Sequence, residues 1–232
     1  MPILNTLTET GATRRVGRLP SMLMMAPGPH ARSLTQQHWQ MLFGPAPLGA
    51  DEHHELNTAV QVVSCTAGTH VLRRHEPASH LLAVLDGAID LGTSGTHSSQ
   101  FHRERSIDAV AWLDISSAWL GGTYLQDAIA NTNAVVAYFP FAAVQRLTAT
   151  PPTVAGRLAA AMAAQVHDLC VATHDLMHKD ACKRFAAWLL ARCDTSNDGL
   201  DSALVYLHKR KRDIAAQLAI TPETLSRMMR QL

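Results

Sequence analysis

The chain has 232 residues, 47% hydrophobic and 17% charged, and its 20 Lys and Arg against 19 Asp and Glu give a formal net charge of +1. That length allows one or two domains, the apolar fraction excludes a disordered chain, and the near-zero charge excludes a molecule that grips polyanions with its whole surface. No run approaches the roughly 18 apolar residues of a membrane helix, and Cys65, Cys170, Cys182 and Cys193 show no Cys-x-x-Cys spacing, which predicts free thiols and no membrane partner.

Residues 1 to 33 read as a loose tail. Thr13-Arg14-Arg15 glances at a twin-arginine leader, but the apolar part Ser21 to Ala26 is short and stops at Pro27-Gly28-Pro29, so a cytoplasmic protein is expected. Residues 56 to 91 predict short strands: Val60 to Val63, Thr69 to Leu72, Leu81 to Leu85, then Ala88 to Leu91 after the hairpin signal Asp86-Gly87. The polar stretch Gly92 to Arg105 is expected to be a loop. Further strands are predicted at Ala109 to Leu113 and Ala134 to Phe139, the latter ended by Pro140. Short strands at this spacing imply a small antiparallel barrel or roll.

After Pro151-Pro152 the period changes. Leu158, Met162, Val166, Leu169, Ala172 and Leu176 recur every three or four residues, one apolar seam on a helix of about 25 residues. Alternating threes and fours suit a two-helix coiled coil, and packing on its own roll suits the same pattern. A second helix is predicted from Asp180 to Cys193 with Phe185, Trp188 and Leu189 inward. Turn chemistry fills Asp194 to Ser202, and residues 203 to 232 form a compact terminal module.

That module reads as a helix-turn-helix with Lys211 at its first position. Ile214, Leu218, Ile220, Leu225 and Met228 then fall at buried positions, and Ala215 falls where two helices cross closely and only a small residue fits. The turn is Ala219-Ile220, with Ala where such turns favour Gly, so Ala219 must take a left-handed conformation. Thr221 caps the second helix, Pro222 takes its first position and Glu223 suits the positive end of the helix dipole. Leu225, Met228, Met229 and Leu232 share one side, while Glu223, Ser226, Arg227 and Arg230 share the other. An outward face of Glu, Ser and Arg suits the major groove, where Arg bonds guanine, Glu accepts from cytosine and Ser reaches several base edges. Lys209, Lys211 and Arg212, in the cationic run His208 to Arg212, sit where phosphates would pass. Double-stranded DNA is therefore the expected partner.

Asp213-Ile-Ala-Ala-Gln-Leu-Ala-Ile-Thr-Pro-Glu-Thr-Leu-Ser-Arg227 closely resembles the helix-turn-helix of the Crp/Fnr superfamily of bacterial transcription regulators. The Glu223-x-x-Ser226-Arg227 spacing is that of the Fnr-like branch, whose members read TTGAT half-sites. Gly68-Thr-His-Val71, His80 to Gly87 and Asn133 to Pro140 resemble strands of the cyclic-nucleotide-binding roll. The resemblance implies an α+β fold: an N-terminal antiparallel β-roll, a long dimerisation helix and a C-terminal helix-turn-helix. It divides the chain into a tail (1–33), a sensor roll (34–150), a dimerisation helix (151–178) and a DNA-binding unit (179–232). It further implies a homodimer on a palindromic operator, with RNA polymerase as a partner. The hairpin wing that follows the recognition helix in such proteins is missing before Leu232, which reads as truncation or loss.

The departures bear on the signal. Nucleotide-binding members carry a Gly-Glu pair and an Arg-Ser or Arg-Thr pair for the cyclic nucleotide. The matching segment Trp119 to Ala128 has Gly121 and Gly122 but neither Glu nor Arg, and a buried phosphate without a cation is left unpaired at large cost. Cyclic AMP is therefore not expected as a cofactor. An N-terminal iron–sulfur cluster is not expected either, since no cysteine precedes Cys65. His70, His75, His80, His97 and His102 lie in the expected roll. Haem on His75 or His80 stays open as a family possibility, while ordinary surface or hydrogen-bonded histidines and no bound metal are the preferred reading. No enzyme motif occurs, so no catalytic residue is expected. The rival reading is a cupin-like metal-dependent roll enzyme whose terminal helical hairpin is incidental.

Overall fold

The computed structural model describes residues 33–95, 101–149, 153–193, 205–207 and 210–231. Helices α1 (Gln36–Phe43) and α2 (Ala50–Ala59) lead into strands β1 (Gln61–Cys65), β2 (His70–Leu72), β3 (His80–Asp86), β4 (Ala88–Ser94), β5 (Phe101–Asp108), β6 (Ala111–Asp114), β7 (Asp127–Ala130) and β8 (Ala134–Pro140). Helices α3 (Phe141–Thr148), α4 (Thr153–His178), α5 (Ala181–Leu190), α6 (Lys211–Gln217) and α7 (Pro222–Met229) follow. The strands form two antiparallel four-stranded sheets, ordered β1-β8-β3-β6 and β2-β7-β4-β5.

The apolar strands are continuous in sequence because both of their faces are covered. Leu81, Ala83 and Leu85 of β3 and Val135, Ala137 and Phe139 of β8 face a core shared with α1 to α4. Their neighbours Leu82, Val84, Val136 and Tyr138 face the opposite way, into the space between the sheets. Period two thus feeds two cores from the same strands. Between β3 and β4 the turn needs Gly87: its φ is +79°, and a Cβ there would strike the Asn133 carbonyl.

Two expectations are corrected and four further elements appear. The polar stretch Gly92 to Arg105 is not all loop, since β4 runs to Ser94 and β5 starts at Phe101, the two pairing along their length. A hairpin at the sheet edge is solvated on one face, so it carries charge without losing its ladder. Helices α1, α2 and α3 and strand β7 were not anticipated; α1 is tied in by Trp39, Leu42 and Phe43, which join the outer core. The seam of α4 splits. Val154 and Leu158 are buried against the roll and Met162 packs beside them. Val166, Leu169 and Leu176 are exposed, with Val171 and Met177. One helix therefore uses its first half to close its own core and presents its second half outward.

The expected tail, the linker Asp194 to Ser202, His97 and Lys209 lie outside the described residues, apart from Ser33 at the tail's end. No described helix is long and apolar enough to cross a membrane.

Candidate nucleic-acid interface

The terminal module closes on its own small core. Ile214, Ala215 and Leu225 are fully buried, Leu218 and Met228 nearly so, and Phe185 of α5 completes the cluster with Trp188, Leu189 and Ile220 at its edge. The position read as needing a small residue holds Ala215, at 0% exposure where α6 and α7 cross. Ala219 takes φ +51°, the left-handed conformation the turn demands, and the Ile220 amide donates to the Ala215 carbonyl at 3.0 Å. Arg184 of α5 pins this turn: it donates to the carbonyls of Leu218 at 3.0 Å, Ala219 at 3.5 Å and Lys179 at 2.6 Å.

Helix α7 starts as its sequence dictates. Thr221 is the N-cap, its hydroxyl accepting from the Thr224 amide at 3.2 Å, and Pro222 follows at the first helical position. A backbone amide and the Thr221 hydroxyl hold the Glu223 carboxyl below its ordinary range. With Leu225 and Met228 inward, Glu223, Arg227 and Arg230 are exposed and Ser226 is half-buried. Arg230 donates back to the Ser226 carbonyl at 3.2 Å. Arg210, Lys211 and Arg212 are exposed around the start of α6. The four face residues and three cations are thus carried by one module with its own core.

A contact with no motif in the sequence joins this module to the roll. Arg103 of β5 donates to Asp213 of α6 and to the Arg212 carbonyl, and reaches Asp90 of β4 at 3.5 Å. The Arg103 and Asp213 side chains are only 16% and 14% exposed. Arg212 also donates to Asn131 at 3.4 Å. No local pattern could have shown a pair 110 residues apart; the only trace was an Arg in a stretch expected to be loop.

In the roll, the segment Trp119 to Ala128 holds no cation. Burial pushes the Tyr124 phenol up to about 12, and its hydroxyl donates to the His80 carbonyl at 3.4 Å. Burial alone would raise Asp127; amides of Arg74 and Ser94, both at 2.8 Å, outweigh it and hold the carboxyl below its usual range. His80 is buried, bonded to Ser79 at 2.9 Å, and burial lowers its pKa. His70 is half-buried, while His75 and His102 are exposed. Among the described residues no three His, Cys, Asp or Glu converge as metal ligands.

The architecture is the Crp/Fnr-like fold, a cyclic-nucleotide-binding-type roll followed by a long helix and a helix-turn-helix. Among solved structures, the chain resembles DNR from Pseudomonas aeruginosa, with 23% identity, 85% of this chain and 86% of that one covered and a TM-score of 0.50. It resembles FixK2 from Bradyrhizobium japonicum at 21% identity over 75% and 84% of the two chains, TM-score 0.58. It also resembles CLP from Xanthomonas campestris, a c-di-GMP-responsive global regulator, at 13% identity over 79% and 91%, TM-score 0.61. No family model and no curated protein matches the sequence.

Proposed function

We propose that this chain is a DNA-binding transcription regulator of the Crp/Fnr type, not an enzyme. It acts in the cytoplasm as a homodimer on a palindromic TTGAT-like operator and works with RNA polymerase. The observation that carries this reading is the division of α7: Leu225 and Met228 are buried while Glu223, Arg227 and Arg230 face solvent from a capped, turn-pinned helix. Arg227 reads the guanine of the half-site, Glu223 accepts from a cytosine amino group and Ser226 sits near a thymine. Arg230 and Thr221 border that face, and Lys209, Lys211 and Arg212 meet phosphates.

The exposed half of α4 supports the dimer. Val166, Leu169, Leu176 and Met177 are 59%, 53%, 52% and 73% exposed, an apolar strip that a second copy would cover. The division into tail, sensor roll (34–150), dimerisation helix (151–178) and DNA-binding unit (179–232) belongs to the same reading. The signal is not cyclic AMP, because the segment Trp119 to Ala128 offers no cation for its phosphate.

Fluorescence anisotropy on a TTGAT palindrome and on random duplex tests the proposal. Arg227→Ala costs roughly 1–3 kcal/mol per half-site on the palindrome and relaxes preference at the guanine alone. Lys211→Ala weakens both duplexes and lowers the salt slope by about one. Equal losses on both duplexes for Arg227→Ala would make it a phosphate contact, and absence of any DNA binding by the parent chain would overturn the reading.

A further inference from the structure

A cavity of about 780 Å³ opens between α1, α2 and the loop joining them, away from the terminal module and from the segment Trp119 to Ala128. That volume is in the range of small-molecule sites. Its walls are held in place from outside. Arg157 of α4 donates to the carbonyls of Phe43 at 3.0 Å, Ala46, and Pro47 at 2.9 Å, fixing the loop. Glu52 of α2 accepts from the Gly49 amide at 2.9 Å and from the Val154 amide of α4 at 3.4 Å.

The chemistry of the lining is specific in two ways. Among the described residues lining it there is no Lys, Arg, Asp or Glu; the polar groups are Gln36, Gln40, His53, His54 and Asn57. Trp39 supplies a flat apolar wall, its ring 4.8 Å from that of His53. Trp39 is 7% exposed and its indole N–H has no acceptor among the described residues. A buried donor without a partner is unfavourable; the N–H is covered, so a ligand acceptor relieves it when the indole turns toward the cavity.

We propose that this cavity between α1 and α2 is a binding site for an uncharged, flat, mostly apolar molecule bearing a carbonyl-type acceptor for the Trp39 indole. An anion would find no fixed cation there, and a cation no carboxylate. Amide groups of Gln36, Gln40 and Asn57 serve the ligand's polar edge. This site stands independently of the DNA reading, and its test uses no DNA.

The probe is Nile red, a neutral planar dye with a carbonyl, titrated by fluorescence onto the full chain. Saturable binding of one dye per chain is expected. Ala50→Trp, and independently Gln40→Trp, plug the mouth from exposed positions and weaken binding at least about tenfold. Trp39→Phe keeps the ring, removes the donor and weakens binding about fivefold, one hydrogen bond's worth. Leu169→Glu leaves the affinity unchanged, which separates the cavity from the apolar strip of α4. No saturable binding, or parent-like binding by both plugged variants with intact circular dichroism, would overturn the site. Loss of binding in Leu169→Glu alone would place the dye on α4 and overturn it as well. Unchanged affinity in Trp39→Phe would overturn the indole as the donor.

Discussion

The guanidinium of Arg103 on β5 meets the Asp213 carboxylate of α6 at 2.5 Å and the Arg212 carbonyl at 3.0 Å. A residue of the roll's edge hairpin thus holds the first helix of the terminal module. The pair is mostly buried, so it is screened less than a surface ion pair. Asp213→Asn keeps the shape and removes the charge. It should cost about 1.5–3 kcal/mol of docking and speed amide exchange in β5 and the first turn of α6, while α7 keeps its protection. Unchanged exchange in β5 would show that the pair does not hold the two parts together.

Ala219 has φ +51°, a conformation that costs an L-residue roughly 1–2 kcal/mol. Glycine adopts it freely but loses more entropy on folding. The balance favours Ala219→Gly by about 0.5–1 kcal/mol, read as a higher urea midpoint for the terminal module. A lower midpoint would mean that Arg184, through the Leu218 and Ala219 carbonyls, has already removed the strain.

Leu169 lies at the centre of the outward strip of α4, with Cys170 beside it. In Leu169→Glu a charge enters the proposed seam, and the dimer dissociation constant should rise at least about tenfold by light scattering or sedimentation. Cys170 should alkylate faster in the variant. Cys65, whose thiol burial pushes up, should stay protected in both. A dimer of unchanged strength would remove α4 as the interface.

Burial lowers the pKa of His80, and burial together with Arg73 lowers that of His70, both from 6.5. The unfolded chain therefore takes up protons near pH 6.5 that the folded chain takes up only at lower pH. Stability from these groups is complete above that value and is lost as pH falls below it. Urea midpoints of the roll should drop between pH 7.5 and 5.5, and His80→Gln should flatten the slope. An equal slope in the variant would mean that other groups carry it.

The sequence alone determined the parts of this protein whose causes are local. The turn at Ala219, the cap at Thr221 with Pro222 and the inward set Ile214, Ala215, Leu218, Leu225 and Met228 follow from a few neighbouring residues and one helical period. Strands β3 and β8 were legible because both faces of each are buried, which leaves an unbroken apolar run. Tertiary structure decided the rest, because the causes lie far apart along the chain. Whether the seam of α4 faces the roll or solvent depends on where the outer core runs out, between Met162 and Val166. Strand β5 is polar because its edge position solvates one face, which local pattern reads as loop. The Arg103–Asp213 pair and the Arg157 clamp on the loop after α1 join side chains more than a hundred residues from their partners. Such contacts leave no periodicity in the sequence, since a single ion pair or cavity wall needs only one residue at each end.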